Sequence, residues 1–228
     1  MFFVSLILGC CFTSLAAIPL ITNDTGTQGK GKFQLEFLGE YAHEREEIVN
    51  DKGAFSSTLT YGIADPVDIA ISIPYQFWRK SDCGLETTGS GLSDLAIELK
   101  WRFYEKEGLS LALKPGFTIP TGDDKKDLGA GMMTYYLIFI TSKEINSWSF
   151  HLNLAYIRNN NTEDDRTDLW HASFASTVEV VKKLKFVADI GVESNPDRSS
   201  SNPPAYILGE LIWSPKENLD IAWVSRAD

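Results

Sequence analysis

The chain has 228 residues, of which 43% are hydrophobic and 12% aromatic, and its formal net charge is −10 at pH 7. The hydrophobic content excludes global disorder. The negative charge, with no basic run longer than Lys182-Lys183 and nearby Lys185, argues against a nucleic-acid partner, because phosphate contacts need clustered lysines and arginines. The length suits one large β domain or two small ones.

The first 17 residues, MFFVSLILGCCFTSLAA, are apolar and uncharged and end in small residues, as secretory signal peptides do. We expect cleavage near Ala16 or Ala17 and an exported domain over 18–228; lipidation at Cys10 is the alternative. In the mature chain Cys83 is then the only cysteine, which excludes an internal disulfide. The three histidines lack metal-ligand spacing, so no metal and no cofactor is predicted.

From Lys32 onward, apolar and polar residues alternate with the period of two that is typical of β-strands. The clearest example is 95–103, LAIELKWRF, in which Glu98, Lys100 and Arg102 alternate with apolar residues. The pattern predicts about eleven strands, with ends uncertain by two to four residues, at 31–42, 54–63, 67–78, 91–104, 108–120, 129–142, 146–158, 168–181, 184–194, 204–213 and 218–224.

The connections between these strands alternate strictly between tight turns and long polar loops. Ala64-Asp65-Pro66 is one of the turns, and KSDCGLETTGSG is one of the loops. Aromatic residues gather near the ends of the strands, among them Trp148 and Trp213 by the turns and Phe77 and Trp78 by the loops. Both features favour an up-and-down meander across a membrane, with short turns at one surface, long loops at the other and an aromatic girdle at each.

The alternation then has a direct interpretation: the apolar face meets lipid and the charged face lines a watery lumen. A sheet in hydrocarbon must close to pair its backbone groups, and bacterial single-chain barrels close with an even number of strands. We therefore predict an all-β, antiparallel, up-and-down transmembrane β-barrel of about twelve strands. Of these, about eleven lie in this chain and the twelfth, C-terminal strand is expected to be missing. The predicted lumen-lining residues, which would set charge selectivity, are Glu36, Asp94, Glu98, Lys100, Arg102, Lys114, His151 and Asp189.

Four stretches resemble the outer-membrane β-barrels of the MetA-pathway of phenol degradation family and related transporters. They are residues 18–36, 59–75, 89–103 and 113–131. The resemblance implies a barrel in the outer membrane of a Gram-negative bacterium and passage of aromatic or other organic solutes. Members of the family look as if they end in a strand with a C-terminal aromatic residue, and this chain departs from that pattern.

Other candidate sites are weaker. Ser149, His151 and Asn153 share the inner face and carry the residue types of a hydrolase, but residues two apart on one strand lie too far apart for a tight proton relay. Loop acids at Asp123, Asp124 and Asp127, and at Glu163, Asp164, Asp165 and Asp168, have the oxygen ligands that divalent cations prefer. We interpret both loops as solvated surface. Gly-rich GTQGKGK is interpreted as the periplasmic lead-in to the first predicted strand.

The sequence therefore favours a non-enzymatic outer-membrane barrel that admits small solutes, with outer-membrane lipid and those solutes as its partners. Two alternatives stay open: a non-conducting membrane anchor or lipid-active barrel enzyme, and a soluble, lipocalin-like ligand-binding barrel.

Overall fold

The computed structural model describes residues 5–11, 22–45, 49–82, 85–162 and 164–227. The predicted cleavage positions Ala16 and Ala17, together with Cys83 and Glu163, lie outside these residues. The described chain forms one antiparallel sheet of thirteen strands and a single short 3-10 turn, Asp124–Lys126. In the part of the chain that the structure describes, no helix is long and apolar enough to cross a bilayer.

The strands match the sequence prediction closely. In chain order they are β1 (Ser5–Cys11), β2 (Phe33–Arg45), β3 (Val49–Ala64), β4 (Val67–Asp82), β5 (Leu85–Leu92), β6 (Leu95–Lys106), β7 (Leu109–Ile119), β8 (Thr134–Ile145), β9 (Trp148–Arg158), β10 (Asp168–Val181), β11 (Leu184–Glu193), β12 (Ala205–Lys216) and β13 (Leu219–Ala227). All eleven predicted strands are present, as β2 to β4 and β6 to β13, and the predicted tight turns are confirmed. Long connections follow β7, β9 and β11 as predicted, whereas most of the predicted loops 43–53 and 80–91 belongs to strands.

The sheet closes into a ring of twelve positions. Each strand from β6 to β13 pairs with the next, β13 pairs with β1, β1 with β2, and so on to β4. β5 and β6 share one position, since residues 75–82 of β4 pair with β5 and residues 67–72 pair with β6. This closure is the solution that a membrane sheet requires.

Two strands were not predicted. β5 lies in what the sequence suggested was a loop, because LETTGSGL has too few apolar residues to show an alternation. β1 fills the twelfth position of the ring, which we had expected to belong to a missing C-terminal strand. The prediction that residues 1–17 are a signal peptide concerns processing and stays a prediction.

The two faces of the ring differ as expected. Along β6, Leu99, Trp101 and Phe103 are 37%, 46% and 41% exposed on the outside, whereas the side chains of Glu98 and Lys100 are only 17% and 20% exposed. The same holds around the ring, where large apolar side chains cover the outer face. A soluble domain rarely exposes apolar surface of this extent, so the outer face fits a lipid environment.

The predicted aromatic girdles need one correction. Trp148, Trp213 and Tyr156 are exposed on the outer face near strand ends, as a girdle requires. Trp78 instead lies on the inner face of β4, because neighbouring residues of a strand point to opposite sides and Phe77 takes the outer one. The indole of Trp78 donates to the carbonyl of Lys126, 2.9 Å away in the long β7–β8 connection.

Candidate functional site: a chain segment in the lumen

Residues 22–32 precede β2 and run as irregular chain through the inside of the barrel. We call residues 22–28 the lumenal segment. Its sequence, TNDTGTQ, has no apolar residue to alternate, so it does not continue the sheet. Gly29 and Gly31, with φ of 83° and 79°, then turn the chain into β2, and the Gly31 N–H donates to the carbonyl of Gly62 at 2.8 Å.

The lumenal segment begins against β11. The N–H and the hydroxyl of Thr22 both donate to the carboxylate of Asp189, at 3.0 and 2.8 Å. Thr22 and Asp189 are both fully buried, and the hydroxyl of Tyr206 lies 3.4 Å from the same carboxylate. One predicted lumen acid therefore anchors the start of the segment.

The next residue is held from two sides. The amide of Asn153 accepts the main-chain N–H of Asn23 and donates to its carbonyl, both at 2.7 Å. The ammonium of Lys114 donates to the side-chain oxygen of Asn23 at 3.0 Å. Asn153 is 1% exposed, so these bonds replace the water that its amide would otherwise need.

Asp24 turns toward β6. Its carboxylate lies 3.5 Å from the ammonium of Lys100, which also donates to the carbonyl of Gly26 at 3.1 Å. The other contact of the carboxylate is local, with the N–H of Gly26 at 2.9 Å. A single wall lysine thus holds two oxygens of the lumenal segment.

Thr25 contacts the wall beside the predicted histidine. Its N–H donates to the hydroxyl of Ser142 at 3.1 Å, and its own hydroxyl lies 2.5 Å from that of Ser110. The Ser142 hydroxyl lies 2.8 Å from His151 Nδ1. The serine beside His151 is therefore Ser142 of the next strand and not Ser149, and its oxygen already accepts a hydrogen bond from the segment.

The segment leaves the lumen along β4 and β2. The N–H of Gln28 donates to the carboxylate of Asp68 at 2.9 Å, and its side chain bonds to that of Gln34. Beyond it, the N–H of Lys30 donates to Asp65 in the tight β3–β4 turn. The predicted lead-in to the first strand is thus confirmed, but it occupies the barrel before it reaches β2.

The remaining predicted lumen residues have more varied positions. Glu98 lies on the inner face, 2.9 Å from the ammonium of Lys114, and accepts from the hydroxyl of Tyr136 at 2.8 Å. Glu36 lies on the inner face of β2 in register with the inward Thr58. Arg102 pairs with Glu105 at 3.3 Å near a tight turn. The roles of these residues in selectivity stay predictions.

Asp94 makes structural contacts at the end of the barrel, and its predicted role in selectivity stays a prediction. It precedes β6, and its carboxylate accepts the N–H groups of Gly122 and Ala130, at 3.0 and 2.8 Å. Asp94 therefore braces the long β7–β8 connection at the mouth of the barrel. It also borders a cavity of about 400 Å³, whose lining includes Asp124, Asp127 and Asp165. Within the described residues, no group of three or more histidines, cysteines and acids is arranged to hold a metal ion.

The inner face of β10 to β13 carries an apolar cluster between its polar positions. Ala175, Val187, Ile212 and Ala222 form a buried cluster there, against which Leu38 and Val224 pack. Glu210 lies in register between Val187 and Val224 and is 1% exposed. Among the described residues, neither oxygen of its carboxylate has a hydrogen-bond partner.

Sequence reasoning missed the lumenal segment and Glu210 for different reasons. Polar residues before a strand look the same whether they lie in solvent or inside a barrel. Glu210 lies within an alternating strand, so it could have been predicted to face inward from its spacing to Leu208 and Ile212.

Comparison with known proteins agrees with this barrel geometry. Residues 18–225 match the model of the family described as "Putative MetA-pathway of phenol degradation". The chain belongs to this family. The resemblance found in the sequence is thereby confirmed for the phenol degradation family, and it extends over nearly the whole chain. No curated protein matches the sequence.

Solved structures support the fold of this family member. The COG4313 outer membrane channel from Pseudomonas putida F1 is 13% identical with a TM-score of 0.59, and the similarity covers 99% of this chain and 93% of that one. CdiB from Escherichia coli, at 11% identity and a TM-score of 0.49, is covered over 48% of its length and matches 93% of this chain. The fold assignment, an outer-membrane-type β-barrel, rests on the family match and the first structure.

Proposed function

We propose that this chain is a narrow channel for small organic solutes in the outer membrane of a Gram-negative bacterium. The lumenal segment fills part of its lumen. The observation that carries the proposal is the kind of contact that binds the lumenal segment to the barrel wall. The inner faces of β6 to β9 contact the segment through a few hydrogen bonds and one ion pair, among them those of Asn153, Ser142 and Lys100. Such contacts exchange readily with water and polar solutes.

Family membership and the likeness to a channel structure support the same proposal. A wall that carries acids, lysines and amides suits polar solutes, and charged groups in a narrow lumen select among ions. Aromatic solutes remain the class that the family name suggests. That the chain is not an enzyme also stays a prediction.

A non-conducting barrel is the second candidate, and the apolar cluster on β10 to β13 favours it. Together with the lumenal segment, this cluster leaves less of the lumen to water, as in small barrels filled by side chains. The two candidates differ in what happens when the segment is released: a channel conducts, and a filled anchor does not.

Planar-bilayer recordings of Asn153→Leu test the proposal. This substitution removes both bonds to the main chain of Asn23 while keeping the side-chain size, so we expect larger or more frequent conductance steps than in the wild type. The same substitution at Asn202, an exposed loop residue, is the control and should change nothing. Silence of both the wild type and Asn153→Leu, in protein that keeps its heat-modifiable folded band in SDS gels, would contradict the channel.

A further inference from the structure

Lys100 is the wall cation whose charge depends on the lumenal segment. Within the described residues, Asp24 is the only carboxylate within 4 Å of its ammonium. Lys114 differs, because Glu98 of the wall itself lies 2.9 Å away and compensates its charge whether or not the segment is present. The side chain of Lys100 is only 20% exposed, so loss of Asp24 leaves a largely buried cation with no carboxylate within 4 Å among the described residues.

We infer that Lys100 is a binding subsite for the carboxylate of a permeating solute, and that Asp24 occupies it as the chain's own substitute for that group. The inference rests on the proposed channel function and names the class of solute. The bond from Lys100 to the carbonyl of Gly26 shows a second acceptor position 3.1 Å from the same ammonium. One lysine can therefore hold both a carboxylate and a neighbouring carbonyl or hydroxyl oxygen.

The surroundings of Asp24 define the solute further. Across the lumen, Asp189 accepts two hydrogen bonds from Thr22. Between Asp189 and Lys100, the amide of Asn153 accepts one hydrogen bond from the main chain of Asn23 and donates another to it. An acid therefore lies at one end of the path of residues 22–24 and a cation at the other. This arrangement fits an organic acid whose hydroxyl or amino group is separated from its carboxylate by about the length of the main-chain path from Thr22 to Asp24.

Competition follows from this shared subsite. A solute carboxylate that binds Lys100 displaces Asp24 and loosens the lumenal segment, so the solute opens the path that it uses. Chloride can screen Lys100 but cannot bridge to a second donor as a carboxylate can. The channel should consequently respond to carboxylates beyond what ionic strength alone produces.

The test is conductance of the full chain in planar bilayers at constant ionic strength, with acetate replacing chloride. We expect wild-type conductance to rise with acetate to a plateau. In Lys100→Met, which keeps the length of the side chain, the acetate concentration that gives half of the maximal conductance should rise by about tenfold or more. Asp24→Asn should conduct without acetate, because the neutral amide holds Lys100 more weakly. Asp164→Asn, at a carboxylate 95% exposed in the β9–β10 loop, is the matched control and should behave as wild type.

Each failure has its own signature. Conductance in the wild type and in Lys100→Met with the same acetate response would overturn the subsite and leave the channel standing. Silence of the wild type, Asp24→Asn and Asn153→Leu alike would overturn the channel and the subsite together. If Lys100→Met does not give a folded band, Lys100→Gln serves in its place, with the same expected shift.

Discussion

The two sides of the lumen are formed by the same alternating strands but are filled by different groups, the lumenal segment on one side and apolar side chains of the barrel on the other. We call the inner faces of β6 to β9 the polar wall, and the buried cluster of Ala175, Val187, Ile212 and Ala222 on β10 to β13 the apolar wall. The polar wall holds the lumenal segment through Lys100, Asn153 and Ser142. On the apolar wall, Val187 and Ala222 are fully buried in a cluster of the barrel's own side chains.

This difference separates permanent filling from exchangeable filling. The apolar cluster is stabilised by contacts that water cannot replace, because burial of apolar surface is the favourable term there. Each contact on the polar wall has a counterpart in water or in a polar solute, so removing the segment costs little once the freed groups are solvated. A path for solutes is therefore expected along the polar wall.

The largest effect should come from placing a charge in the apolar wall. Val187→Asp puts a carboxylate at a fully buried site, in register with Glu210, and we expect it to lower the free energy of unfolding by about 3 to 5 kcal/mol. Urea unfolding in lipid vesicles measures this loss. Ser142→Asp is the control on the polar wall, where Thr25 can still donate to the new side chain. Equal losses in the two variants would abolish the distinction between the walls.

A gain in stability is expected at Glu210, a buried acid in register with Val187 of the apolar wall. Glu210→Met keeps the length of the side chain and removes a carboxylate that has no partner among the described residues. The free energy of unfolding should rise by about 1 to 3 kcal/mol, which is the cost of leaving a buried polar group unsatisfied. The same vesicle assay measures it. A fall in stability would show that Glu210 makes an interaction that the apolar description of this wall omits.

The strands and their faces could be predicted from the sequence because both depend on local alternation. Strands such as β6, β7, β9 and β11 show that pattern in their own residues, whereas β8 is apolar on both faces over most of its length. Closure into a ring also followed, since hydrocarbon leaves no other way to pair the backbone of a sheet. The inward position of Glu98 and Lys100 could be predicted from their two-residue spacing alone.

The contacts of the lumenal segment could not be predicted, since they join residues that lie far apart in the chain and no periodic pattern in the sequence relates those residues. Thr22 and Asp189 lie 167 residues apart, and Asn23 and Asn153 lie 130 apart. The partner of His151 could not be named from the sequence for the same reason. Ser142 reaches it only because β8 and β9 pair with these two residues in register. Position across a sheet depends on register, which the alternation alone does not give.

The smallest effect on stability should come from the charge on the polar wall itself. Glu98→Gln keeps the size of the side chain. Its amide oxygen can accept from Lys114 in place of Oε2, and its amide N–H can donate to the hydroxyl of Tyr136 in place of Oε1. We expect the free energy of unfolding to change by about 1 kcal/mol or less. By contrast Leu99→Arg, one residue along and facing lipid, should cost about 2 to 4 kcal/mol near the bilayer midplane.

Selectivity should respond to Glu98→Gln although stability does not. Removal of this carboxylate takes the ion-pair partner from Lys114, which lies on the same wall as Lys100, and so raises the positive potential along the polar wall. The reversal potential under a KCl gradient should then move toward anion preference, and the Asn153→Leu background provides the conductance needed to measure it. An unchanged reversal potential would place the ion path away from the polar wall, because a unit charge on the wall of a narrow lumen changes the electrostatic potential for the ions that pass it.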